Sequence, residues 1–163
     1  MIPRHGKAPT LYLTNHDHSD AAWLSGVPEG NGAVDGWWRI QPFLIALFTS
    51  TAVPLVKNGQ ENGEEYLIAE NDKGTSRRLR PRPLRWKLGQ DPIGSTLTAL
   101  HTRLMALRQQ HPALQSPSMY PREWQTCQTR LDPQGLGVDV DRQLAIYHRW
   151  APVPGGSRRS RWC

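Results

Sequence analysis

The residues best equipped for chemistry stand together in Thr10 to Asp20, TLYLTNHDHSD, where a run of β-formers ends in Asn15, His16, Asp17, His18, Ser19 and Asp20. Carboxylates accept hydrogen bonds or carry charge, and imidazoles exchange protons near neutral pH. A short strand that delivers such groups at its C-terminal end is how α/β barrels and doubly wound sheets build their sites. Two chemistries compete for these residues. As polar, proton-handling groups delivered at a strand end, they suit a binding or catalytic site. His16-x-His18-x-Asp20 places side chains on alternate positions, as in the metal-ligand pairs of some metal-dependent hydrolases, although no further His or Cys cluster supplies the remaining ligands. A third and plainer use is structural, with Asp17 capping its own loop.

The surrounding pattern supplies elements to position these groups. Leu11, Tyr12 and Leu13 are apolar in succession, which predicts a short strand buried on both faces. A turn-rich loop with Gly26, Pro28, Gly30 and Gly32 follows, and residues 36–52 read as an apolar helix. Trp37, Ile40, Leu44, Ala46, Leu47 and Phe48 can share its buried side, with Pro42 in the first turn. Val53 to Val56 predicts a second buried strand, running straight into the polar loop Lys57 to Gly63. Strand, polar loop, helix, strand, polar loop is one crossover of a parallel sheet, with both polar loops on the same edge.

Further on, Ile93 to Gln110 reads as an amphipathic helix, with Leu97, Leu100, Leu104 and Leu107 on one side and Arg103, Arg108 and Gln109 facing water. His111-Pro112 stops it. Glu123 to Arg130, Gly137 to Val140 and Gln143 to Trp150 then predict short antiparallel strands, with Asp132 to Gly135 as a turn. Residues 151–163 have the composition of a disordered basic tail.

The 163 residues suffice for one ordinary domain but fall well short of the roughly 250 of a complete (β/α)₈ barrel. Fourteen Pro and fourteen Gly favour loops over long uniform helices. The net charge of +6 raises nucleic-acid binding as an alternative. It concentrates in Lys73, Arg77, Arg78, Arg80, Arg82, Arg85 and Lys87, which read as a solvated basic loop, so no nucleic-acid partner is expected. Cys127 and Cys163 form neither a disulfide framework nor a metal knuckle. No apolar run approaches a membrane span and no signal-peptide core follows the N-terminus, so no membrane partner and a cytoplasmic location are expected.

Four landmarks in fixed order resemble the C-terminal part of the alpha-amylase family of glycoside hydrolases and glucan-transferring enzymes. LYLTNHD looks like that family's fourth motif, at the seventh strand of its (β/α)₈ barrel. The apolar helix running into VPLVKNGQENG is similar to the eighth strand. PRPLRW resembles an Arg-x-Pro-Met-x-Trp loop, and LHTRLMALRQQHPAL resembles the helix that closes the barrel. The resemblance covers residues 10–115 and extends more loosely to QLAIYHRW, similar to a strand of the β domain that follows.

The resemblance implies an α/β fold: the C-terminal part of a (β/α)₈ barrel over residues 1–115, the start of an antiparallel β domain over 116–150, and a basic tail over 151–163. It implies an alpha-glucan or oligosaccharide substrate, with no cofactor and no metal. Asp17 would be the transition-state stabiliser, His16 a hydrogen-bonding partner of the same sugar ring, and Asn15 a substrate-site residue that orients it. His18 and Asp20 fall outside the motif and read as rim residues, Glu61 as structural, and Trp23 as an open case for stacking on a sugar. The family's nucleophile Asp and acid/base Glu stand on the fourth and fifth strands, for which there is no room before Leu11. The chain is therefore expected to be a fragment of a longer enzyme and inactive alone.

Overall fold

The computed structural model describes residues 8–15, 34–64, 83–122 and 129–151. Strand β1 (Thr10–Tyr12) lies parallel to β2 (Val53–Leu55), with Thr10 opposite Val53, Leu11 opposite Pro54 and Tyr12 opposite Leu55. The pairing begins one residue earlier, where the Val53 amide donates to the Pro9 carbonyl at 2.8 Å. Parallel neighbours need a crossover, and its helical part is a 3-10 segment (Val34–Ile40) running directly into α1 (Gln41–Thr49). The change of helix type falls at Gln41-Pro42. Without an N–H, Pro42 cannot bond back to the preceding turn, so regular α-helix starts there rather than at residue 36.

Helix α2 (Pro92–Gln110) packs across α1. Trp37, Ile40, Leu44, Leu47 and Phe48 from the first helical segment meet Leu97 and Leu104 of α2, and Leu13, Val56, Ile93 and Leu100 close around them. The spacings of three and four bring these residues onto one stripe, and each such side chain fully buried contributes about 1.5–3 kcal/mol. Ala46, expected on that stripe, is exposed. It stands two positions from both Leu44 and Phe48, which turns it about 200° from each around the helix.

α2 starts with Asp91, whose Oδ1 accepts from the Gly94 amide at 2.7 Å, followed by Pro92 in the first turn. Gly94 is required by contact, since a Cβ there would stand 1.7 Å from the Leu88 carbonyl oxygen. The helix stops at His111, where a new short helix, α3 (Pro112–Gln115), begins on Pro112. Arg103 and Gln109 face solvent as expected, whereas Leu107 is 39% exposed and Arg108 turns inward. Its guanidinium donates to the carbonyls of Phe48 and Ala52 at 2.7 Å and of Ser50 at 3.0 Å. The expectation that Arg108 faces water fails because the end of α1 offers unpaired carbonyls within reach of a long cationic side chain.

Two antiparallel pairs follow: β3 (Met119–Tyr120) with β6 (His148–Arg149), and β4 (Gly137–Asp139) with β5 (Leu144–Ile146). The turn expected at Asp132 to Gly135 is present, with Asp132 Oδ1 accepting from the amides of Gln134 and Leu136. The hairpin itself turns at residues 140–143, with Gln143 in the left-handed region at φ 54°. Of the strand expected over Glu123 to Arg130, Thr129 and Arg130 lie in a turn and 123–128 fall outside the described residues. Arg149 ties this region to the rest, donating to the carbonyls of Thr49, Ser118 and Ser116, while Thr49 and Tyr147 share a hydroxyl hydrogen bond. Burial and the neighbouring Arg108 both hold the Arg149 pKa below its ordinary value.

The expectation of strands buried on both faces is corrected. Leu11, Tyr12, Val53 and Leu55 are 40–52% exposed, because each strand has one neighbour among the described residues and the helices cover only part of the pair. The described residues thus hold three separate two-stranded sheets. The basic stretch 65–82, both cysteines and the tail from 152 lie outside them, and no described helix is long and apolar enough to cross a membrane.

Candidate functional site

Parallel pairing sends the C-terminal ends of β1 and β2 off the same edge of the sheet, so the segment after Tyr12 and the segment after Leu55 are neighbours. Leu13 is partly buried in the core and Thr14, the residue before the Asn-His-Asp run, is 2% exposed. Asn15 is half-buried at the mouth of this edge. His16, Asp17, His18, Asp20 and Trp23 lie outside the described residues.

Beneath Asn15 the structure places a residue that the sequence did not single out. Thr14 Oγ1 hydrogen-bonds to the side-chain amide of Gln60 at 2.7 Å, across 46 residues of chain, and Gln60 is likewise 2% exposed. The assigned donor is the Thr14 hydroxyl and the acceptor Gln60 Oε1; a turned amide would reverse these roles. Either way, one end of the Gln60 amide has no partner among the described residues. A buried polar atom left in this state is costly, so the position of the amide is imposed by its surroundings.

Those surroundings are a tight 3-10 turn, Gln60–Asn62, bracketed by Gly59 at φ 92° and Gly63 at φ 75°. Only glycine enters that region cheaply, and a Cβ on Gly59 would also stand 2.8 Å from Glu64 Cβ. The turn is closed by Gln60 N to Lys57 O at 2.9 Å and Glu64 N to Gly59 O at 2.9 Å. Glu61 Oε2 accepts from the Gly59 amide at 3.0 Å, which agrees with its structural reading. Helix α2 holds the turn from the other side, where Thr98 Oγ1 lies 3.1 Å from Glu61 O and 2.9 Å from Asn62 Oδ1.

The PRPLRW landmark joins the same edge. The Glu64 side chain, 6% exposed, accepts from Arg85 Nε at 2.9 Å and from the Arg85 backbone amide at 3.2 Å. Arg85 therefore serves an ion pair rather than a free basic face. Trp86, beside it, is 73% exposed.

His101 is the second residue that the sequence reading passed over. It sits between Leu97 and Leu104 on the apolar stripe of α2, is 1% exposed, and meets Phe48 edge-on with ring centroids 6.0 Å apart. Its Nδ1 lies 2.8 Å from the Leu97 carbonyl, which can only accept, so Nδ1 carries the proton and Nε2 is a buried lone pair without a partner among the described residues. Burial lowers its pKa, opposed by the Leu97 hydrogen bond and the Glu61 charge, and the ring is neutral. Its spacing of four from Leu97 and three from Leu104 was the signal that could have found it. Gln60 carried a weaker one, its place between two glycines four apart.

The arrangement is a floor of buried polar contacts beneath the point where the chain leaves β1, with Asn15 half-buried at the edge. Among the described residues no three His, Cys, Asp or Glu side chains gather to hold a metal; His16, His18 and Asp20 fall outside that statement. No family model, no curated protein and no solved structure matches this chain.

Proposed function

We propose that this chain carries one wall of the active site of a retaining alpha-glucan glycoside hydrolase or glucanotransferase of the alpha-amylase family, with Asp17 as transition-state stabiliser and His16 and Asn15 as substrate-binding residues. The observation that supports it best is the parallel pairing of Thr10–Tyr12 with Val53–Leu55. It sends the segments that follow Tyr12 and Leu55 off the same sheet edge, the arrangement expected of the seventh and eighth strands of a (β/α)₈ barrel.

The chemistry follows from what such an edge presents to a sugar. Retaining glycosidases attack the anomeric carbon with one carboxylate and protonate the leaving oxygen with another about 5–5.5 Å away, through an oxocarbenium-like transition state. Asp17 would accept hydrogen bonds from the hydroxyls beside that carbon, and its charge would favour the positive charge developing on the ring. His16 would donate to the same ring as a neutral imidazole, and Asn15 would orient the two. The nucleophile and the acid/base belong to strands preceding β1 in the family's order, so this chain alone is expected to bind glucan weakly and not to turn it over.

The test is a titration of the isotopically labelled chain with maltoheptaose, followed by NMR. The expected result is a millimolar interaction that moves the Asn15, His16 and Asp17 resonances and is lost in Asp17→Ala and in His16→Ala. No perturbation at any of the three would overturn the proposal. So would stoichiometric zinc retained through dialysis and released by His16→Ala, which would assign His16, His18 and Asp20 to a metal-dependent hydrolase. Salt-sensitive retention on DNA or RNA, abolished by charge reversal within residues 73–87, would favour the basic-module alternative.

A further inference from the structure

We propose that strands β3 to β6 open from the rest of the chain as one unit, and that Arg149, with Tyr147 beside it, is the latch that holds this unit shut. The latch is independent of the alpha-glucan reading.

Every side chain of the core cluster comes from residues 13–104, and no described residue of β3 to β6 joins it. These strands pair only with one another among the described residues, and β5 is exposed along its whole length. The unit is nevertheless coherent. The Tyr120 hydroxyl donates to Asp132 Oδ2 at 2.9 Å, which joins β3 to the turn that leads into β4, and Tyr147 alone separates β5 from β6. Apolar burial therefore does little to fasten the unit to α1 and α2, and its attachment falls to polar bonds.

Those bonds converge on Arg149 and Tyr147. Arg149 donates to the carbonyl of Thr49, the last residue of α1, and to those of Ala113 at 3.2 Å and Leu114 at 3.4 Å in α3. The same guanidinium donates through Nε to Ser118 O at 2.9 Å, on the unit's own side. Tyr147 adds a hydroxyl hydrogen bond to Thr49. Helix ends leave carbonyls of this kind unpaired, and a planar fork of N–H donors reaches several of them at once. The hold is reversible. Arg149 is half-buried, meets no carboxylate among the described residues, and is repelled by Arg108, which is lodged on the same end of α1. Water replaces the guanidinium at each carbonyl when the unit lifts, so opening costs the net worth of a few hydrogen bonds and leaves the core intact.

The experiment is amide hydrogen exchange, followed by NMR, on the unsubstituted chain and on Arg149→Met, Arg149→Lys and Tyr147→Phe. In the unsubstituted chain the paired amides of β3 to β6 are expected to exchange through a common opening that leaves Leu97 to Leu104 of α2 protected. Arg149→Met should speed exchange throughout the four strands by at least about tenfold, with the α2 amides changing by less than about twofold. Tyr147→Phe deletes one crossing bond and should speed the same amides by about two- to tenfold. Arg149→Lys should lie between Arg149→Met and the unsubstituted chain, because an ammonium keeps the charge but not the fork. Acceleration confined to β3 and β6, with β4 and β5 unmoved, would overturn the single unit. Unchanged exchange in both Arg149→Met and Tyr147→Phe would overturn the latch. Equal acceleration in α2, or an Arg149→Met chain that does not fold, would overturn it too, since the core would then depend on the joint. So would strand amides as unprotected as those of a free peptide in the unsubstituted chain.

Discussion

Arg108→Met should be among the most damaging substitutions at a half-buried position of this chain. The guanidinium makes three hydrogen bonds, to Phe48 O and Ala52 O at 2.7 Å and to Ser50 O at 3.0 Å. These carbonyls lie at the end of α1 and in its link to β2, where no helical partner exists for them. The side chain also places a positive charge against the negative end of the α1 dipole. Burial lowers the Arg108 pKa without making an arginine neutral near pH 7. Hydrogen bonds to charged donors are each worth about 1.5–3 kcal/mol when withdrawn from water, but the group is only half-buried and water refills part of the gap, leaving about 2–4 kcal/mol for the three together. With a urea slope of about 2 kcal/mol per molar, the unfolding midpoint should fall by about 1–2 M at unchanged slope. Arg108→Lys should lie between the two, because an ammonium keeps the charge but not the planar fork that reaches three carbonyls. Hydrogen exchange should accelerate at the end of α1 and in β2. A midpoint within about 0.3 M of the unsubstituted chain would refute the reasoning, since only a solvated arginine behaves in that way.

Two further outcomes follow from the packing of α2. The His101 pKa is lowered by burial from its ordinary 6.5, so below about that pH the unfolded chain binds a proton that the folded chain resists. The contribution is therefore complete above pH 6.5 and is lost as pH falls toward the folded value, at no more than about 1.36 kcal/mol per pH unit; urea midpoints at pH 7 and 5 should diverge more for the unsubstituted chain than for His101→Leu, and parallel curves would contradict this. Gly94→Ala gains about 1 kcal/mol of helix propensity but sets a Cβ 1.7 Å from Leu88 O, and the overlap should win with a net loss of about 2 kcal/mol or more; a midpoint equal to or above the original would show that the Trp86–Gln90 turn moves aside freely.

What the sequence made legible is what local pattern controls. The three-four spacing of Ile40, Leu44 and Leu47 marked a buried helical stripe, His111-Pro112 marked the end of α2, and two short apolar runs separated by a helix marked a parallel pair. Each of these follows from one residue type acting on its own neighbourhood. The errors share a different cause. Arg108 and Gln60 are polar residues whose partners lie dozens of positions away, so their immediate surroundings say little about where their side chains go. Leu11 and Val53 fail in the opposite sense. They carry the composition of a strand covered on both faces, yet are 43% and 52% exposed, because coverage depends on neighbours that a local pattern does not supply.

The exposure of β1 and β2 bears on the candidate site through geometry. A parallel strand of succession-apolar type is stable when strands flank it and helices cover it. The catalytic chemistry proposed for Asp17 likewise needs partners, a nucleophile and an acid/base set opposite it. In a (β/α)₈ barrel both needs are met by the same strands, because those that complete the sheet around β1 carry the opposing carboxylates at their C-terminal ends. On the proposed barrel reading, the exposed apolar side chains Leu11, Tyr12, Val53 and Leu55 and the polar run that begins at Asn15 would be two faces of one requirement. A joined chain supplying those strands would bury the first and complete the second. The two effects should appear together: protection of the β1 and β2 amides from exchange should rise in the same joined chain in which Asp17→Asn lowers turnover by orders of magnitude and ground-state binding much less. Turnover that survived Asp17→Asn in such a chain would remove Asp17 from the mechanism even if the strands were fully protected.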